Sequence, residues 1–292
     1  MTTRTILLTA IAMVAFAANS LLCRMAIGPG SIDAISFTAL RTVSGAAVLA
    51  VLVLPRWHRE GRAAGFSWPM ALALFAYMIF FSLAYQSLTA ATGALLLFGA
   101  VQLTMFTVAL ARGERYGLRR WLGLALALAG MVYLLLPGVR APDPLGAGFM
   151  VLSGVAWGMY SLLGRSAKDP VQSTASNFML AAPLTLLAWL TLPPVLTLPV
   201  HMEAVGVGLA LASGVLASGL GYVAWYAALR GLDAGRAATV QLSVPVIAAV
   251  GGVALLGEAL DQRLVLASAL TLGGIGLVLA RDNNEKEEKD SA

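Results

Sequence analysis

Long apolar runs, separated by short polar or Pro/Gly-rich breaks, fill this chain almost from end to end. Crossing ~30 Å of hydrocarbon as a helix takes roughly 20 mostly apolar residues. Ten runs come close to that length: 5–23, 34–54, 69–87, 92–111, 119–136, 145–164, 173–192, 204–225, 235–256 and 263–280. The breaks between them include GPGS (28–31), PGVRAPDP (137–144) and LPPVLTLP (192–199). None of the runs alternates apolar and polar residues with the period of two that a barrel strand shows. The pattern predicts an all-α integral membrane protein of ten transmembrane helices, with no room for a soluble domain. The polar stretch 282–292 is expected to be a disordered tail.

Composition agrees with this reading. The chain is 59% hydrophobic and 11% charged, less than half the charged share of ordinary soluble domains. A pI near 9.7 raises the question of nucleic acid, but the placement of the basic residues answers it. With the N-terminus in the cytoplasm, the inner side carries Arg4, Arg56, Arg59, Arg62, Arg112, Arg115, Arg119, Arg120, Arg165, Lys168, Arg230, Arg236, Arg281, Lys286 and Lys289. The outer side carries only Arg24, Arg140 and Arg263. That bias follows the positive-inside rule, so both termini are expected in the cytoplasm, the membrane is read as a bacterial inner membrane, and no nucleic-acid partner is expected. Arg4, the apolar run and the string AFA (15–17) imitate a secretory signal peptide. The repeat described next argues that this first span is retained.

SLLCR (20–24) and SLLGR (161–165) stand 141 positions apart. At that offset Phe16 meets Trp157, Asn19 meets Tyr160, Phe81 meets Tyr222 and Tyr85 meets Tyr226. At offset 144, Gly113-Glu114 meets Gly257-Glu258, Arg119 meets Arg263 and Gly130 meets Gly274. Two five-span units, 1–140 and 141–281, are the expected domains. An odd number of spans makes the copies enter the membrane from opposite sides. Inverted repeats of this kind build secondary transporters, with the substrate site at the repeat interface near the midplane.

Buried ionisable groups usually mark proton relays, yet every Asp and Glu falls in a loop, at a span end or in the tail, and His58 and His201 lie in loops. Arg41, about two turns into the second span and close enough to the outer face to snorkel, reads as an interfacial or helix-packing arginine or as a group that holds a substrate carboxylate. No metal site or cofactor is expected, and no HExxH, nucleophile–base pair or intramembrane Asp pair points to an enzyme. The spans instead place polar and aromatic groups on recurring faces. Tyr77, Phe81 and Tyr85 share one helix face, and Phe16, Asn19 and Ser20 match Trp157, Tyr160 and Ser161. Asn19, Gln102 and Gln241 must face protein or a wet cavity, because an amide in lipid leaves its donors unpaired. The expected substrate cavity comprises Phe16, Asn19, Tyr77, Phe81, Gln102, Trp157, Tyr160, Tyr222, Gln241 and Ser243. Pro245 is a candidate hinge, with Pro183 similar in effect. Tyr85, Trp225 and Tyr226, at span ends, read as interfacial belt residues. Gly154 and Gly158 form a GxxxG that permits close helix packing.

ATGALLLFGAVQLTMFTVALARGE (91–114) and AATVQLSVPVIAAVGGVALLGEAL (237–260) carry a resemblance to the drug/metabolite transporter superfamily, specifically its ten-helix EamA-type exporters, and over the whole chain to the YddG branch of amino acid exporters. The first copy departs from the pattern with Val101 where the second has Pro245. The resemblance implies a basket-like bundle in which spans 1, 3, 4, 6, 8 and 9 enclose a central cavity, with 2, 5, 7 and 10 outside. It implies export of amino acids, aromatic ones among them, coupled to protons, whereas the lack of an intramembrane acid or histidine points to a facilitator; the alternative is a multidrug exporter of aromatic cations such as viologens. The expected partners are a small-molecule substrate and the lipid bilayer, with no obligate protein partner.

Overall fold

The computed structural model describes residues 2–60, 67–113, 116–138, 141–164, 167, 169–196, 199–232 and 234–279. The expected tail 282–292, Glu114 and Arg165 lie outside the described residues. Helices follow the apolar runs: α1 (Thr3–Ile27), α2 (Ala34–Glu60), α3 (Trp68–Ala84), α4 (Ala90–Ala111), α5 (Leu118–Leu135), α6 (Pro144–Gly164) and α7 (Pro170–Leu196). The eighth span is α8 (Ala204–Ala212), a π-helical segment Ser213–Leu220, and α9 (Gly221–Leu229). The ninth is α10 (Ala234–Gln241) and α11 (Ser243–Leu256), and α12 (Gln262–Leu279) is the tenth. Among the described residues nine helical segments are long and apolar enough to cross a bilayer, and α3 is a shorter apolar helix. Large apolar side chains such as Leu7, Val14, Val51, Leu122, Leu190 and Val250 remain exposed, as a lipid-facing surface requires.

Acidic residues sit at helix starts, where backbone N–H groups lack intrahelical partners. Asp33 Oδ1 accepts from Ile35 N and Ser36 N at the start of α2, and Asp169 Oδ1 accepts from Val171 N and Gln172 N at the start of α7. Asp143 does the same for α6 and Asp261 for α12. The loop glycines of the doubled Gly-Glu turn, Gly113 and Gly257, both adopt left-handed backbone, φ 88° and 64°. That conformation ends α4 and α11 without the steric cost a Cβ would bring.

The main packing pairs recur when the two halves are exchanged. α1 packs on the eighth span as α6 packs on α3; α1 meets α11 as α6 meets α4; and α2 meets the eighth span as α7 meets α3. α2–α7, α4–α11 and α5–α12 pair across the interface between halves. Small residues set the closest approaches. A Cβ at Gly154 would fall 2.5 Å from Ala100 Cβ, and one at Gly158 would fall 2.9 Å from Thr104 Cβ, so the GxxxG seats α6 on α4. Gly123 and Gly130 of α5 meet Gly274 and Thr271 of α12 in the same way.

The prolines act differently from one another. α7 runs continuously through Pro183. The ninth span breaks at Leu242, and Pro245 occupies the first turn of α11, where its missing N–H costs little. The interruption of the ninth span thus lies just before the proline.

Candidate functional site

Four helices bring aromatic rings to one point in the bundle. Phe16 (α1) stands edge-on to Tyr222 (α9) with centroids 5.7 Å apart; Tyr222 lies 5.4 Å from Trp157 (α6); Trp157 lies 4.8 Å from Tyr77 (α3); and Tyr77 lies 5.5 Å from Phe81 (α3). Tilted and edge-to-face pairs of this kind suit the ring quadrupoles. Phe16 and Trp157 are equivalent positions in the two halves, as are Phe81 and Tyr222, so the chain of rings crosses the repeat interface. With Asn19 and with Leu97 and Phe98 of α4, these rings line a cavity of about 20 Å³. That is room for one or two water molecules, far less than an amino acid occupies, because the rings pack on one another.

Asn19 is held at the cavity wall by its own hydrogen bonds. Its Nδ2 donates to Ala217 O at 3.2 Å, and its Oδ1 accepts from Ser213 Oγ at 2.8 Å and Ser218 Oγ at 3.2 Å. All three partners belong to the π-helical segment, whose wider turn alters the carbonyl pattern of the eighth span. The Asn19 amide thus anchors α1 to that irregular backbone.

Arg41 does not snorkel. It is fully buried, because its side chain turns inward from α2 toward the rings. Its Nε donates to Ser218 Oγ and one terminal nitrogen donates to Tyr77 OH, each at 3.1 Å. The guanidinium carbon lies 5.0 Å from the Phe81 ring centroid and 5.4 Å from that of Tyr77.

Tyr160 and Gln102 are buried beside the cavity but do not line it; Tyr160 stacks behind Trp157 at 5.3 Å. Gln241 and Ser243 stand apart from it. Gln241 Nε2 donates to Ala237 O and Ser243 Oγ to Val240 O, carbonyls of their own span next to the Leu242 break. Among the described residues, none of the ninth span lines this cavity. Tyr85, Trp225 and Tyr226 are not belt residues. Tyr85 is fully buried against Phe81 at 4.8 Å, Trp225 packs on Phe16 at 5.8 Å, and Tyr226 is half-buried against the core.

A second polar cluster closes the bundle at the face away from the termini. Arg24 Nε lies 3.4 Å from Glu258 Oε1, and Arg24 also donates to the Tyr85 and Gln86 carbonyls. Both Glu258 oxygens accept from Ala90 N, the start of α4, at 3.1 and 2.9 Å, where the helix dipole favours an anion. Residues from α1, the α3–α4 connection and the turn after α11 are thereby tied together at that end of the bundle. Arg24 and Glu258 both stand in the doubled motifs, and that doubling is the signal by which sequence alone could have selected them. Nothing in the sequence distinguishes Leu97 and Phe98 from other apolar residues of α4.

The EamA-like transporter family model matches this chain twice, over residues 3–136 and 144–280, one match for each half of the bundle. An uncharacterized protein of Pseudomonas aeruginosa is 53% identical over 277 residues, 95% of each chain. An uncharacterized transporter of Bacillus subtilis, YwfM, is 26% identical over 273 residues, 89% of each chain. A probable terminal-alkyne amino-acid exporter of Streptantibioticus cattleyicolor is 26% identical over 223 residues, 75% of this chain and 73% of that one. A crystal structure with 21% identity superposes at a TM-score of 0.64, covering 95% of this chain and 98% of its own, and shows the same fold. Two family matches that together span nearly the whole chain, on a helical bundle whose halves pack alike, establish that this protein belongs to the EamA-like transporter family.

Proposed function

We propose that this protein exports small zwitterionic metabolites from the cytoplasm, most of all amino acids with apolar or aromatic side chains, by alternating access. The observation that carries the proposal is the chain of rings from Phe16 to Phe81, drawn from both halves and meeting at the repeat interface. Ring faces and edges accommodate apolar side chains, and Asn19 offers an amide to a polar head group. The two halves, 1–140 and 141–281, rock against each other as inverted repeats, opening the cavity to one side and then the other. Both termini face the cytoplasm in a bacterial inner membrane, as the distribution of arginines argues. The face closed by Arg24 and Glu258 is then the outer one.

The buried side chains among the described residues include no Asp, Glu or His. Without a titratable relay, flow down the substrate gradient is the simplest mode, suited to relieving an excess of cytoplasmic amino acid. An exporter of aromatic cations fits less well, since the positive charge of Arg41 lies against two of the cavity rings.

Uptake of labelled amino acids into proteoliposomes, with and without an imposed pH gradient, tests the reading. Saturable uptake of aromatic or branched-chain amino acids that ignores the gradient is the expected result. Accumulation well above equilibrium driven by the gradient would overturn the facilitator mode. Uptake of viologens without any amino acid uptake would overturn the substrate class.

A further inference from the structure

We infer that Arg41, together with the phenol of Tyr222, forms a carboxylate-binding site in the wall of the aromatic cavity. The inference deepens the export reading by naming the group on the substrate that the protein grips. It begins from an imbalance. Arg41 is fully buried and permanently charged, and none of the ion pairs among the described residues includes it. A buried charge without a counter-charge is costly, all the more within a bundle surrounded by lipid. Two of its nitrogens are engaged by neutral hydroxyls, Ser218 and Tyr77. The third, Nη1, is buried with no hydrogen-bond partner. So is the hydroxyl of Tyr222, a residue that lines the cavity. The two groups are electrostatic neighbours. Unpaired buried polar groups are rare in folded proteins and call for an explanation. Tyr222 follows Ser218, the partner of Arg41 Nε, by four residues on the eighth span, and the guanidinium lies against two of the lining rings, so the two unpaired groups fit a ligand with two acceptor oxygens and a negative charge.

The site is built asymmetrically into a symmetric bundle. Tyr77 and Ser218, the two hydrogen-bond partners of Arg41, are equivalent residues of the two halves at the 141-residue offset. Arg41 therefore sits astride the repeat interface. Its own counterpart at that offset is Ala182, although Phe37 and Phe178 one turn earlier still match. Only one half supplies the charge. A substrate held there lies with its carboxylate toward α2 and the π-helical segment and its side chain among the rings. Widening the cavity enough for an amino acid moves Tyr77 and Phe81, the rings that now cover the guanidinium. An Arg fork then presents parallel N–H donors to a carboxylate, a charge-assisted geometry that a Lys cannot reproduce.

The test measures ligand-induced thermal stabilisation of the purified full-length protein, so that binding is read separately from transport. The probes are phenylalanine, 3-phenylpropionate, which lacks the amine, and phenylalaninamide, which lacks the carboxylate. The two carboxylates are expected to stabilise the wild-type protein at concentrations roughly 10- to 100-fold lower than the amide, the difference that hydrogen bonds to a charged group typically make. Arg41→Gln removes that preference while keeping its response to the amide. Arg41→Lys keeps only part of it, and Tyr222→Phe reduces it. A wild-type protein that binds the amide as well as the acids overturns the inference without any variant, and so does Arg41→Gln with the preference intact. If the acid preference holds and depends on Arg41, but proteoliposomes move no phenylalanine, the export reading fails and the site stands. If phenylalanine moves with an acid-to-amide ratio that Arg41→Gln leaves unchanged, the site fails and the export reading stands.

Discussion

Replacing Glu258 by Gln removes one negative charge from the Arg24–Glu258 clasp while keeping the shape of the side chain. Two interactions weaken together. The contact with Arg24, 3.4 Å and partly buried, is worth about 1 kcal/mol at most in such a setting. The carboxylate at the start of α4, accepting from Ala90 N at 2.9 and 3.1 Å, contributes about 1 kcal/mol through the helix dipole. A combined loss of about 2 kcal/mol multiplies the open fraction about 30-fold, since 1.4 kcal/mol is tenfold. The chain carries its own reporter. Cys23, the single cysteine, is fully buried one residue before Arg24. It follows Phe16 by about two turns on α1 and directly precedes Arg24, so it sits between the clasp and the ring cluster. Labelling of purified protein by a water-soluble maleimide reads the open population when closing outpaces reaction. Glu258→Gln is expected to label about 10 to 30 times faster than wild type, with Cys23→Ser as the blank and gel filtration confirming a folded bundle. An unchanged or slower rate in a folded Glu258→Gln protein would refute the idea that this cluster holds that end of the bundle closed.

Other substitutions follow from the packing. A Cβ at Gly274 would fall 2.5 Å from both Ala127 N and Gly123 O, backbone atoms that cannot yield alone. Gly274→Ala should therefore lower stability by about 1–3 kcal/mol in thermal unfolding, while Gly276→Ala, with nothing within 4 Å of its Cβ, leaves it near wild type. Asn19→Ala removes the partner of the Ser213 hydroxyl, the acceptor of the Ser218 hydroxyl and the donor to the Ala217 carbonyl, a loss of about 1–3 kcal/mol, and should reduce transport as the π-helical segment loses its tie to α1. Trp157→Ala removes the ring that joins Tyr77, Tyr160 and Tyr222 and should depress uptake at least about tenfold, given the 0.5–1.5 kcal/mol each aromatic pair adds to its burial. Gln241→Ala, whose half-buried amide serves its own helix, should leave uptake within about twofold, since it loses one hydrogen bond of about 0.5 kcal/mol within its own span; a large loss there would show that the ninth span enters the cavity when it opens.

Sequence by itself determined the class of the protein, its spans and its twofold plan. Runs of apolar residues long enough to cross a bilayer admit few alternatives once water is excluded, since every backbone group must then be satisfied within the helix. The doubled Gly-Glu turn was visible as a repeat, and the structure shows that both of its glycines are left-handed, a helix ending that few other residues supply. Tertiary structure decided which way the side chains point. In water a helix turns its apolar face inward, but in lipid both the interior and the surroundings are apolar, and hydropathy loses its direction. That is why Arg41 could be assigned to an interface by its distance from the span end, while the fold turns it inward onto Tyr77 and Ser218. It is also why Tyr85 and Trp225, at span ends, resembled belt residues and proved to be core. Gln241 and Ser243 show the remaining limit. A polar side chain in a span must find a partner, yet its own helix can supply one wherever the backbone breaks, as it does at Leu242.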